Sequence, residues 1–143
     1  MFKKLFQKSN TTDNTKKENR FTSLYKIIFE IIAADHEIRD DEIQIASKLL
    51  EDFFDIKNSI SVLKFEKLRD KGHFNIDLTR ITSEIKKILS YPERQKLIQI
   101  CWEILLVDRN EDVLETSTVR KISILLGIED QDFISIRNRV KKS

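Results

Sequence analysis

The chain has 143 residues and a mass of 17.0 kDa, which reads as one domain with enough length to bury a core. Two Gly and one Pro leave no glycine-rich phosphate loop and few primed hairpin turns, so composition counts against an all-β fold. Apolar residues at 40% and charged residues at 35%, with a net charge of +2, suit an all-helical domain with a solvated exterior.

The charge is unevenly spread. Residues 1–20 hold six basic residues against two acidic ones, and the body that follows is slightly acidic. A body without a basic excess is a poor partner for nucleic acid, which must be neutralised at its phosphates. The single Cys excludes an internal disulfide and a cysteine-based zinc site, and fits a reducing cytosol. No apolar run of signal-peptide or membrane-spanning length is found.

In chain order, residues 2–8 place Phe2, Leu5 and Phe6 at helical spacing among Lys3, Lys4 and Lys8, a short amphipathic segment. Residues 9–20 contain no aliphatic or aromatic side chain and read as a flexible linker. The domain proper is expected over 21–143. Its first helix, 21–34, is apolar on most sides and is expected at the centre. A second, 40–54, carries a stripe of Ile43, Ile45, Ala46, Leu49, Leu50, Phe53 and Phe54.

A third, capped by Asn58 or Ser59, carries Ile60, Leu63 and Leu68 as its apolar set and stops at Gly72. Asp77 caps a fourth, with Leu78, Ile81, Ile85, Ile88 and Leu89 at helical spacing. Ser90 and Glu93 have capping-box spacing, with Pro92 in the first turn of a fifth helix that runs to about Val107. A sixth spans about 112–126 and stops at Gly127; a seventh, about 130–141, carries Phe133, Ile134, Ile136 and Val140. Seven short helices with tight connections describe a compact all-α bundle.

Shifted by 73 residues, the sequence falls on itself. Leu24, Tyr25, Ile28, Phe29, Ile31 and Ile32 meet Leu97, Ile98, Cys101, Trp102, Ile104 and Leu105. Asp35, Glu37 and Glu42 then meet Asp108, Asn110 and Glu115. The pattern is helix, acidic corner, helix, twice, which implies a pseudo-two-fold repeat. Agreement is best before Glu42; further on, Ile122 and Ser123 oppose Leu49 and Leu50.

The segments ADHEIRDDE and LLVDRNEDVLE, each followed by a helix, resemble the paired acidic corners of the TerB-like family over about residues 21–140. That family includes the bacterial tellurite-resistance protein TerB and the N-terminal domain of a membrane-anchored DnaJ-type co-chaperone. The resemblance implies a bacterial, stress-associated, non-enzymatic, all-α domain with a proposed divalent-cation role for its acids. By position it carries that role to Asp35, Glu37 and Glu42, and to Asp108, Asn110 and Glu115. The family commonly has Gly after the corner Asp; here His36 and Arg109 stand there.

Two accounts of the corners are open. Asp40, Asp41, Glu42, Asp112 and Glu115 suit helix N-termini, where the dipole favours anions by roughly 0.3–1 kcal/mol each. Asp35 and Asp108 end helices, where it disfavours them, and ask for a turn amide, a basic side chain or a cation. Oxygen-only ligands select a weak calcium or magnesium site over zinc. The EF-hand pattern fails, since Asp40 and Val113 stand where Gly is required.

His36 and His73 lack the spacing of a di-iron bundle, and Cys101 lies in an apolar helix face beside Trp102, so no catalytic constellation emerges. The expected partners are an unidentified protein and an anionic membrane touched by Phe2, Leu5, Phe6, Lys3 and Lys4. The expected location is the cytoplasm, extending to the inner face of its membrane. The competing function is a metal-independent helical adaptor.

Overall fold

The computed structural model describes residues 21–33, 38–72, 77–106 and 113–142, with side chains from Ser117 onward in the last stretch. Among these residues there are seven helices and no strand. Helix α1 covers 21–32. It is followed by α2 (Asp40–Phe54), α3 (Asn58–Lys71), α4 (Leu78–Ile88), α5 (Tyr91–Leu106), α6 (Val113–Leu125) and α7 (Asp130–Lys142). The amphipathic segment at 2–8 and the linker at 9–20 lie outside the described residues.

Helices α1 and α5 form the core. Leu24, Ile27, Ile28, Ile31 and Ile32 of α1 are buried, and so are Leu97, Ile98, Cys101, Trp102 and Leu105 of α5. Burying side chains around most of a helix is what an almost unbroken apolar run dictates. The amphipathic helices pack around this pair: α2 on α3 and α5, α4 on α6, and α5 on α6 and α7. No described helix is long and apolar enough to cross a membrane.

Several local signals act as their chemistry requires. Asp77 accepts the Arg80 amide at 3.2 Å and caps α4. At α5, Ser90 Oγ accepts the Glu93 amide at 3.4 Å while the Ser90 amide donates to Glu93 Oε1 at 2.9 Å, a complete capping box. Helix α6 ends in a Schellman turn: Ile128 N–H donates to Ser123 O and Gly127 N–H to Ile124 O, both at 3.0 Å. Gly127 sits at φ 73°, and an added Cβ would stand 3.4 Å from the Arg94 guanidinium. That guanidinium donates to Leu126 O at 2.5 Å and closes the helix end.

Helix α3 departs from expectation twice. Neither Asn58 nor Ser59 caps it: the N-cap is Lys57, and the Asn58 amide is taken by Glu51 Oε2 at 3.0 Å, a carboxylate from the preceding helix. Its buried face is also rotated. Ile60 and Leu63 are exposed, while Ser61 and Phe65 are fully buried. Phe65 meets the Tyr25 ring edge-on at 5.2 Å, and Tyr25 Oη and Ser61 Oγ share a buried hydrogen bond of 3.0 Å. Burial pushes the Tyr25 phenol up from its ordinary value, and the Ser61 bond partly offsets this. In α7, Ile134 likewise turns outward, leaving Phe133, Ile136 and Val140 in the core.

The repeat is visible in the elements and shifts by one residue along the way. At an offset of 73, every aligned apolar pair from Leu24/Leu97 to Ile32/Leu105 is buried in both copies. By the end of the second helix the offset is 72. Asp55 (φ 56°) is the left-handed counterpart of Gly127 (φ 73°), and buried Ile56 the counterpart of buried Ile128. One residue lost between the corner and that turn explains why Leu49 and Leu50 misalign with Ile122 and Ser123.

Candidate functional site

The described part of the first acidic corner is the start of α2. Arg39 is extended (φ −98°, ψ 152°), and its amide donates to Glu42 Oε1 at 3.1 Å. Glu42 is 6% exposed, and Arg39 Nε lies 3.6 Å from the same oxygen. Asp41 Oδ1 accepts the Glu42 amide at 2.9 Å and lies 3.3 Å from Arg39 Nε. Asp40 Oδ1 receives Arg69 from α3 at 2.6 Å, and this bond raises the Arg69 guanidinium above its ordinary value. All three acids therefore serve the helix terminus or a neighbouring arginine.

Of the six expected site residues, Glu42 is thus placed in a buried, arginine-paired cap. Asp35, Glu37, Asp108 and Asn110 lie outside the described residues. Glu115 falls in the first turn of α6, and only its backbone is described. Asp112, expected with it at that helix N-terminus, lies outside as well. Among the described residues alone, no group of three metal-ligating side chains comes together.

Two acids not singled out in the sequence stand near the corners. Glu30 on α1 and Glu103 on α5 are equivalent at the 73-residue offset, and each is five residues ahead of its corner Asp. Each holds a side-chain Oε2 buried without a hydrogen-bond partner among the described residues. At Glu103 such an oxygen is costly when ionised. Burial is the main reason that Glu103 titrates above the ordinary carboxylate range; the Gln99 side chain pulls it back, and the Asp52 charge adds to the rise. The signal in the sequence was an acid repeated inside two apolar runs.

A native pKa above the unfolded one means that the folded state holds this proton more tightly. The ionised carboxylate therefore destabilises the fold at neutral pH, and the penalty fades as pH falls through the raised native pKa. Glu103→Gln is expected to raise or preserve the melting temperature at pH 7 in metal-free buffer, with the gain shrinking toward pH 4. Thermal melts of both proteins across that range check it; a clear loss at pH 7 would show that the charge is paired.

Cys101 and Trp102 follow immediately on α5. Cys101 is fully buried, and burial pushes its thiol up to about 12, which leaves it a core side chain without thiolate chemistry at neutral pH. Trp102 packs against Phe133 of α7 with ring centres 5.6 Å apart, and its indole N–H has no acceptor among the described residues.

In comparisons with known proteins, the family described as tellurite resistance protein TerB matches residues 22–138. No curated protein and no solved structure matches the chain significantly. The matched stretch runs from the first turn of α1 into the last turns of α7 and takes in both corners with all seven helices. The chain belongs to the TerB family.

Proposed function

We propose that this domain is a non-enzymatic, stress-associated module whose acidic corners hold a divalent cation, calcium or magnesium, or a basic segment of a partner protein. The observation that carries the reading is the repeated pair Glu30 and Glu103. Each keeps a carboxylate oxygen buried and unpartnered among the described residues, five residues ahead in sequence of the corner acids Asp35 and Asp108. One isolated buried oxygen is an accident of packing. The same one in both halves, beside the same acidic motif, is what a cation-holding arrangement would keep. Asp35, Glu37 and Glu42 would serve the first corner, and Asp108, Asn110 and Glu115 the second.

Calcium and magnesium titrations of the thermal melt test this. A ligand that binds only the folded state stabilises it by about 2.7 kcal/mol at a hundredfold excess over Kd. Asp35→Asn is expected to remove most of the shift. The first corner is expected to bind more tightly, because Asn110 replaces an acid in the second. Glu42→Gln separates the alternatives. In a cation site it lowers the metal-induced shift, whereas in a pure cap it costs about 1 kcal/mol regardless of metal. A melting temperature indifferent to millimolar calcium and magnesium would leave the domain a metal-independent helical adaptor.

A further inference from the structure

Helix α3 presents a stripe to solvent that the core does not use. Ile60 and Leu63 are 49% and 54% exposed, two of the four large apolar side chains so placed among the described residues. Lys64, Lys67 and Lys71 continue the stripe; at about 100° per residue, all five fall within about 100° of the helix circumference. Glu66 turns aside to Arg69, with 3.9 Å between them.

Beside the stripe, α1 and α3 enclose a cleft of about 340 Å³. Lys26, Lys64, Lys67 and Lys71 line it with Tyr25 and Leu68, and no carboxylate among the described residues does. Among the described residues none of these four lysines enters an ion pair.

The fold does not require this surface. Counted from the paired left-handed residues Asp55 and Gly127, Ile60 and Leu63 correspond to Asp132 and Ser135 of α7. The second half of the repeat keeps those positions polar; the first half has made them apolar and set lysines beside them.

We infer that the α1–α3 cleft and the Ile60–Leu63 stripe form a docking face for an anionic phospholipid membrane, with one lipid phosphate entering the lysine cleft. Charge fixes the sign of the occupant. The pairing of exposed aliphatic side chains with lysines is the pattern of a surface lying at the headgroup boundary, where lysine stems stay in the apolar layer and their ammonium groups reach the phosphates. Lysine rather than arginine lines the cleft, which suits a diffuse anionic surface better than bidentate recognition of one phosphorylated side chain. Thr22, which also lines the cleft, lies two residues beyond the basic N-terminal stretch with Lys3, Lys4 and Lys8. This docking face is independent of any cation at the corners.

Co-sedimentation of the full chain with vesicles tests it, using phosphatidylcholine alone and a 3:1 mixture with phosphatidylglycerol, about 25% anionic lipid. Binding is expected to the mixed vesicles only. Each lysine held at an anionic leaflet multiplies affinity about fivefold, so Lys64→Glu with Lys67→Glu is expected to cost about 25-fold or more. Lys86→Glu with Lys87→Glu, exposed on α4, changes net charge equally and is expected to cost only a few-fold.

Ile60→Ser with Leu63→Ser is expected to cost about tenfold. All these positions are partly or fully exposed, and unchanged thermal melts confirm that the fold is kept. Equal losses from the two lysine pairs would overturn the proposal, as would absence of binding to the mixed vesicles. If Phe2→Ser, Leu5→Ser and Phe6→Ser together abolish binding while the cleft pair leaves it intact, the N-terminal segment is the membrane contact and the cleft is not. Saturable binding of polyglutamate with no vesicle binding would assign the cleft to an acidic protein partner instead.

Discussion

Phe65→Ala is expected to destabilise the domain by about 3–5 kcal/mol, the range for removing a fully buried aromatic ring. Phe65 is the only large side chain of α3 with no exposure. Tyr25 sits edge-on to it at 5.2 Å and would face the cavity. Loss of the ring also loosens the frame that holds Tyr25 Oη against Ser61 Oγ, a buried bond whose hydroxyls have little other recourse. For a chain of this size the expected fall in melting temperature is about 10–20 °C.

Hydrogen exchange gives the sharper readout. With Phe65 gone, α3 keeps only Ser61 and its partly buried margins against the body, with Ile56 buried just ahead of it, so its amides should lose protection before those of α1 and α5. Uniform loss of protection across all helices would show that α3 has no separate opening and that Phe65 serves the whole core alike.

That residue also marks where the sequence stopped being legible. The helices themselves were readable, because the apolar residues recur at helical spacing and three ends carry a local chemical signal: Asp77, Ser90 with Glu93, and Gly127. The central place of α1 was readable because few other arrangements dispose of so much apolar surface; that α5 shares it is seen only in the fold. The facing of α3 was not. Ile60, Leu63 and Leu68 make a plausible stripe by spacing, yet the helix is rotated to bury Ser61 and Phe65. Its phase is set upstream, by the left-handed Asp55 and the buried Ile56 that follow α2, and a turn held by tertiary packing leaves no trace in the periodicity of the next helix.

Its cap was illegible for the same reason. Glu51, seven residues earlier, supplies the acceptor that Asn58 and Ser59 would supply in an isolated helix. At the corners, the first-turn acids were legible as caps; Asp41 and Glu42 accept backbone amides there, whereas Asp40 turns to Arg69 of α3. Glu30 and Glu103 were hidden, because a charged residue inside an apolar run reads as the solvent edge of the helix until its burial is seen.

Trp102 is the second position where a single change should dominate. Trp102→Ala is expected to cost about 3–5 kcal/mol and to weaken the seating of α7, since Trp102 is the α5 side chain that meets the Phe133 ring. Arg120 of α6 stacks over the same Phe133 ring, 4.9 Å from its centre, and pairs with Asp130 at 3.1 Å, so α5, α6 and α7 converge there. Trp102→Phe should behave quite differently. It keeps a ring against Phe133 and removes a buried N–H that has no acceptor among the described residues. Leaving such a donor unpaired costs about 1–3 kcal/mol, which offsets much of the packing that the smaller ring gives up. The expected net change is within about 1 kcal/mol of zero. Denaturant melts followed by far-UV circular dichroism measure both variants, and unchanged m-values would show that the unfolded state is unaffected. A Phe variant as unstable as the Ala variant would mean that the indole N–H has an acceptor in solution. Because Trp102 is the only tryptophan and lies six residues before Asp108, an acceptor that appears only with calcium would change its fluorescence and join this core position to the second acidic corner.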